Sequence, residues 1–380
     1  MNHNFSLKKF PLLMILLFVC ISAGMECRAD SLPIHLAGFA FMGDFSQIKK
    51  NFPFAYEISR EKLPNGQNLL DKSLCDRLTK VLLKDAHFVE GKLALLGDGS
   101  LTLACCLDNE TITVEEYEKG YKIVIDLGAQ LLLFDYASFK LVACYPFTIE
   151  LIDFSEVKPS DKILKDHIRA LLLTDKYKIN LFDECAQLLK NVKLQKFYGG
   201  SIKVTDVVIE DKALSFLPKR FSENTSNFEN FVAQGFGKFL SKNQSVSILP
   251  YTKGYAIGNK MALRFSNAEV FQLQIPEPQF AVKLTVRGFK KVMTDERAAG
   301  SCWVYGSYTR ISISQPSLGK IYLDEKVKNG VAKIIPAMQK TVDDWPVFQE
   351  SLMVLFDKIT KSFTKESKYK KVKEVCGRCS

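Results

Sequence analysis

The sequence predicts a mixed α+β or α/β fold of two tandem αβ modules, each a mixed sheet with helices packed on it. Three observations predict it. Apolar runs of strand length alternate with segments whose apolar residues recur every three or four positions. The order strand, loop, helix, strand occurs twice, about 180 residues apart, which suggests an internal duplication. The 380-residue chain, 47% apolar and 25% charged, is globular in composition and longer than one ordinary domain of ~100–200 residues.

In the first module, residues 30–200, Ile34 to Phe41 reads as a strand. Leu70, Leu74, Leu78, Val81 and Leu82 then place one apolar stripe on a helix, and His87-Phe88-Val89 starts a second strand. Tyr121–Leu127, continuing into Gln130–Asp135, is separated by a turn at Tyr136–Phe139 from Lys140–Tyr145, the spacing of a hairpin. Helices over Ile163–Leu173 and Leu181–Val192 close the module.

The second module, residues 201–365, is expected to open with a strand at Ala213–Pro218. A helix follows from Asn227 to Ser241, with Phe228, Phe231, Val232, Phe236, Phe239 and Leu240 as its apolar side, and then a strand at Val246–Pro250. Phe280–Phe289, Val304–Ile313 and Lys320–Asp324 read as strands, the last two joined by a turn at Gln315–Gly319. A helix over Trp345–Phe363 buries Leu352, Leu355, Phe356, Ile359 and Phe363. Residues 366–380 form a basic, Cys-containing tail.

The two ends carry the compartment signals. Lys8 and Lys9 precede an apolar run from Phe10 to Gly24, and small residues follow at Ser22-Ala23-Gly24 and at Cys27 and Ala29. That is the layout of a cleavable secretory signal over residues 1–29, and the run is short for a membrane span of ~20 residues. The alternative is an uncleaved anchor. A lipoprotein signal fits poorly, since Phe18-Val19 precede Cys20 and Met25-Glu26 precede Cys27. The expected location is periplasmic or secreted.

Export permits disulfides. Of ten cysteines, removal of residues 1–29 leaves Cys75, Cys105, Cys106, Cys144, Cys185, Cys302, Cys376 and Cys379, an even number whose connectivity the sequence leaves open. Cys144 and Cys302 also suit a buried apolar role. Much of the net charge of +10 sits in the signal and in the tail, at Lys358, Lys361, Lys365, Lys368, Lys370, Lys371 and Lys373. A basic tail of this kind suits an anionic membrane surface or lipopolysaccharide, or is a solvated helix end. Basic residues are not interleaved with the aromatic Trp303–Tyr308 strand, so nucleic acid is not an expected partner.

The run Gly306-Ser-Tyr-x-x-Ile-Ser-Ile-Ser-x-Pro-x-x-Gly319-Lys-Ile-Tyr resembles the strand-turn-strand of bacterial envelope proteins: the amino-terminal domain of TolB, the curli secretion protein CsgG and penicillin-binding-protein activators. Ala37-Gly38-Phe39 and the Leu-rich helix after it are similar to that family's opening, whereas Tyr136-Ala137-Ser138-Phe139 lacks the turn glycine. The resemblance covers about half the chain. It implies an envelope assembly or docking role without catalysis, and it carries no binding residue across.

No catalytic constellation stands out, and no cofactor or metal site is expected. There is no Gly-x-Ser-x-Gly elbow, no His-Glu-x-x-His and no phosphate-cradling glycine loop. His35 reads as a core histidine in an apolar strand and His167 as a surface residue. The pairs Asp44 with Glu57 and Asp343 with Asp344 read as solvated acids. Sequons occur at Asn109, Asn224 and Asn243.

The main chemical alternative is Cys376-Gly377-Arg378-Cys379, a C-x-x-C in which Cys379 could resolve a mixed disulfide formed at Cys376. Redox motifs of this type start a helix, however, and only Ser380 follows Cys379, so a disulfide within the tail or to other cysteines competes with that reading. Two thiols also fall short of a zinc site. The leading expectation is an exported, non-enzymatic envelope binding or assembly protein. The alternative is a thiol-disulfide active protein using Cys376 and Cys379, and a hydrolase assembled from distant loops is a third class.

Overall fold

The computed structural model describes residues 31–43, 48–83, 85–89, 100–117, 119–223, 225–251, 256–257, 260–266, 269–337 and 342–380. The expected signal, Asp44 and Asn224 lie outside them.

Two mixed sheets with helices packed on them make two αβ modules. In the first, β1 (Leu32–Met42) runs parallel to β2 (Ala86–Val89) on one side and β3 (Leu101–Tyr117) on the other. An antiparallel meander of β3, β4 (Gly120–Asp135) and β5 (Lys140–Ser155) continues the sheet. In the second, β6 (Ile202–Ile209) lies parallel to β7 (Ile248–Leu249) and to β11 (Phe280–Arg297), and β11, β12 (Gly300–Gln315) and β13 (Lys320–Pro336) form the meander. The orders β2-β1-β3-β4-β5 and β7-β6-β11-β12-β13 match strand for strand and sense for sense.

Helices α1 (Pro53–Ile58), α2 (Leu69–Leu78), α3 (Asp161–Leu173) and α4 (Leu181–Asn191) cover one face of the first sheet. Helices α5 (Thr225–Gln244), α6 (Trp345–Lys365) and α7 (Lys370–Cys379) belong to the second. Helix starts follow local chemistry. The Asn68 side chain accepts from the Leu70 and Asp71 N–H groups, and Asn180 does the same for Phe182 and Asp183.

Three expectations change. Ala213–Pro218 is no strand: Asp211–Leu214 is a helical turn, with Ala213 and Leu217 buried four residues apart, and the opening strand is Ile202–Ile209. The basic, Cys-containing segment 366–380 adds a helix to the second core, into which Val372, Val375, Cys376 and Cys379 pack. Residues 256–274, within the second module by sequence, hydrogen-bond to the first sheet.

Those residues form β8 (Ala256–Ile257), β9 (Lys260–Phe265) and β10 (Val270–Gln274). β9 pairs with β10 and also with β1, Ala40 opposite Phe265, while β10 meets β5 at Gln274 and Lys140. The circuit β1-β3-β4-β5-β10-β9 therefore closes on itself, with β2 and β8 at its margins. Strand alternation explains the cores on either side. Cys105, Leu131 and Leu133 face the helices, whereas Ala104, Cys106, Leu132 and Phe134 face Met261, Leu263, Phe265 and Leu273 of the returning hairpin. Both faces are buried, and this is why Leu131–Phe134 reads as a continuous apolar run.

Asp71 ties these parts together. β1 bulges between Leu36 and Gly38, and Gly38 has φ 109°, a left-handed conformation that a side chain resists. Asp71 Oδ1 accepts the Phe39 N–H at 2.8 Å, and the Ser266 hydroxyl donates to Asp71 Oδ2. A Cβ on Gly38 would stand 2.5 Å from Asp71 Oδ1. Gly38→Ala should therefore cost about 2–3 kcal/mol in denaturant unfolding, adding a steric clash to the backbone strain. Gly319→Ala, at φ 60° with open space around it, should cost only about 1 kcal/mol. Equal losses would mean that the Asp71 contact is unimportant.

Candidate functional site

Helix α7 carries the C-x-x-C. Cys376 and Cys379 lie one turn apart on its buried face, at the carboxyl end, where the helix dipole disfavours a thiolate. Burial pushes both thiols up to about 12. A reactive cysteine needs the reverse, partial exposure and a lowered pKa, so the surroundings of this pair work against a thiol-disulfide activity. None of the described cysteines is joined in a disulfide. Adjacent Cys105 and Cys106 point to opposite cores, Cys105 into hydrogen-bonding contact with Cys185.

The other sequence candidates are held in structural contacts. His167 is buried, not at the surface: Nδ1 is 2.9 Å from the Tyr177 hydroxyl and Nε2 is 3.3 Å from the Asp153 carboxylate. His87 Nδ1 is 3.0 Å from Ser31 Oγ, whereas His35 Nδ1 is the exception, buried with no hydrogen-bond partner among the described residues. Glu57 pairs with Lys165 at 2.7 Å.

Asp343 and Asp344 are engaged at the start of α6. Asp343 accepts the Trp345 N–H at 3.0 Å, and Asp344 accepts Lys291 at 2.7 Å and the Tyr305 hydroxyl at 2.6 Å. They border an open groove of about 360 Å³ lined also by Phe216, Lys291, Trp345 and Phe348. Asn243 is tied to Asp357 and Thr360, while Asn109 is hydrogen-bonded only locally, to Thr111 and the Asp126 carbonyl.

A polar cluster missed by the sequence reading lies where α5 packs on the first sheet. Gln130 Nε2 donates to Asp108 Oδ2 at 2.6 Å and to Gln234 Oε1 at 3.1 Å, and Cys144 Sγ donates to Gln130 Oε1. Lys238 donates to Thr148 and faces Asp126 and Glu150. Burial pushes Asp108 and Asp126 each up to about 6, and it lowers Lys238. On the helix side of the same hairpin, burial pushes Glu110 up to about 7 although it accepts the Phe54 and Ala55 N–H groups at the start of α1. The signal for these residues was present: Asp108, Asp126 and Gln130 are polar breaks inside apolar strands.

The outward surfaces differ between the two sheets. On the first, Tyr117 and Phe154 stand with ring centroids 6.0 Å apart beside exposed Ile152. On the second, β13 is a strand of 17 residues whose one strand partner among the described residues is β12. From Asp324 to Pro336 every second residue is exposed, and Ile334 is 77% exposed. Cross-strand neighbours Val292, Val304 and Ala332, with Cys302 beside Ile334, extend this apolar end over three strands. The equivalent strand of the first sheet, β5, is met by β10 at its first residue, Lys140 opposite Gln274.

The sequence matches no family and no curated protein. Solved structures give low-scoring likenesses. A putative neuraminyllactose-binding hemagglutinin homologue from Helicobacter pylori is 12% identical, with TM-score 0.27 over 46% of this chain and 88% of its own. A minor lipoprotein from Acinetobacter baumannii is 10% identical, with TM-score 0.20 over 43% and 92%. A hypothetical protein from Chlamydia trachomatis is 8% identical, with TM-score 0.22 over 47% and 97%. At these scores none bears on what this chain does.

Two outcomes test the buried groups. Cys376 and Cys379 should resist a water-soluble maleimide until the protein unfolds; rapid labelling in the native state would revive the thiol reading. Asp108, Asp126 and Glu110 have folded pKa values raised above those of the unfolded chain, so the native state holds protons that the unfolded state has lost between about pH 4 and 7. Their contribution to stability is full below the unfolded pKa and is lost as pH rises through about 6 to 7. Chemical unfolding should show stability falling from pH 3 to pH 8, by on the order of 3 kcal/mol from Asp108 alone, about half of it above pH 5. Asp108→Asn should flatten that slope, and an unchanged slope would mean that Asp108 titrates normally.

Proposed function

We propose that this chain is an exported, non-enzymatic protein of the bacterial envelope that binds or assembles a partner protein by adding an extended segment of it to the free edge of β13. The observation that carries the reading is the contrast between two equivalent strands. β5 is met at its outer edge by other parts of the chain, at Lys140 by Gln274 of β10 and at the Cys144 N–H by the Ser247 hydroxyl, whereas β13 presents a long edge with no strand beyond it among the described residues. An open edge offers main-chain donors and acceptors to an added strand, and alternate side chains set the choice of partner.

The chemistry around this edge favours one kind of segment. Lys326 and Lys328 are exposed along β13 with Lys358 of α6 nearby, hydrogen-bonded to Asn329, and Ala332 and Ile334 continue the strand as apolar positions. A segment with acidic residues at one end and apolar residues at the other is complementary. Lysines on an edge also discourage self-pairing, which keeps the strand available without aggregation. The secretory pattern of residues 1–29 supports the compartment.

Hydrogen exchange on the protein with and without a partner captured from an envelope fraction tests the proposal. Amides of residues 326–336 should gain protection when the partner is bound, and Ala332→Asp with Ile334→Asp should reduce capture at least tenfold without lowering the melting temperature. A partner that binds both forms equally, or that leaves those amides exchanging as before, would refute strand addition. Failure to find any stable partner would refute the binding role.

A further inference from the structure

The linker between the two modules and the final helix, far apart in sequence, build one basic surface. Gln195 Nε2 donates to the Ser380 carbonyl at 3.0 Å, and the Ser247 N–H donates to the Cys379 carbonyl at 3.2 Å. At the same place the chain is stripped to Gly199-Gly200: a Cβ on Gly200 would stand 3.3 Å from Arg378 Cβ, and one on Gly199 would stand 3.2 Å from the Arg378 carbonyl oxygen. These contacts fix the carboxyl end of α7 against residues 195–200.

With its Val and Cys side buried, α7 shows the solvent Lys370, Lys371, Lys373 and Arg378 against one acid, Glu374. The last turn of α4 adds Lys190 and the linker after it adds Lys193 and Lys196, all exposed. None of these seven cations forms an ion pair among the described residues; Arg378 instead lies 6.0 Å from the centre of the Phe280 ring. Beside Lys196 stands Phe197, an aromatic ring 80% exposed to solvent.

We infer that this surface docks on an anionic phospholipid bilayer, the lysines and Arg378 meeting phosphate headgroups and Phe197 entering the interface. Charge complementarity selects the occupant. Clustered Lys and Arg attract an anionic membrane additively, without needing a shaped pocket. A protein partner would need a packed apolar centre, and one exposed ring surrounded by lysines supplies too little of it. An amphipathic aromatic site with cations around it suits the headgroup boundary. This surface uses none of the residues of the β13 edge, so either reading can fail without the other.

Flotation of the purified chain without residues 1–29, the expected signal, tests it with vesicles of defined composition. Binding should occur to vesicles containing phosphatidylglycerol, be absent with phosphatidylcholine alone, and weaken as salt is raised. The quadruple variant K193E/K196E/K371E/K373E should lose roughly 100-fold or more in binding. Phe197→Ser should lose several-fold, and both should keep the native melting temperature. Lys49→Glu with Lys50→Glu, which lie outside this set of cations, should bind as the unaltered chain does. Equal binding to both vesicle types, or undiminished binding by the quadruple variant, would overturn the inference. So would retention by an acidic protein or nucleic acid with no binding to vesicles.

Discussion

The first sheet is apolar on both sides, and the rest of the molecule is arranged around the need to cover it twice. Helices α1 to α4 supply one cover in the usual way for an αβ layer. The other comes from β9 and β10, which belong by sequence to the other half of the chain and return to pair with β1 and β5. Asp71 sits where these parts meet, bonded to β1 through Phe39 and to the returning hairpin through Ser266. The two modules are consequently parts of one cooperative object, and the buried network of Gln130, Asp108 and Gln234 lies across their junction.

Equal wiring makes the differences between the modules informative. The β4–β5 and β12–β13 turns occupy the same place, and each ends in a left-handed residue, Phe139 at φ 51° in one and Gly319 at φ 60° in the other. Glycine takes that conformation readily, whereas a side chain resists it by about 1–2 kcal/mol. The reason for phenylalanine is visible in its contacts. Its ring lies 5.1 Å from that of Phe271 on β10 and 5.5 Å from Tyr136, fastening the seam where β10 meets β5. Among the described residues the second module has no strand at that seam, and it keeps the glycine.

The parts legible in the sequence were those governed by one local rule. Leu131–Phe134, the stripe of α2 and the apolar side of α5 each declare themselves by period. β3 was passed over because Asp108, Asn109 and Glu110 interrupt it, and these belong to a bulge and to contacts with distant residues that no local pattern contains. Ala213 to Leu217 misled because an apolar cluster of that length suits a strand as well as a helical turn, and Pro218 marks the end of either. The final segment was read from its lysines and its C-x-x-C, although Val372, Val375, Cys376 and Cys379 carry the spacing of a buried helix face. Neither the closed strand circuit nor the meeting of residues 195–200 with Arg378 could be read from the sequence, because both are long-range facts.

The returning hairpin also governs when this protein can become itself. A chain emerging in order from its amino terminus has made all of β1 to β5 well before Lys260 to Gln274 exist to seal them. Until then Leu132, Phe134, Leu141 and Cys144 stand on an uncovered surface, the kind of exposure that invites aggregation in late-closing topologies. Delivery through a membrane in an unfolded state would postpone that hazard to the far side, where both halves arrive within one passage. A truncated product ending before residue 260 would carry a complete set of first-module helices and still present half of a greasy cylinder to its surroundings.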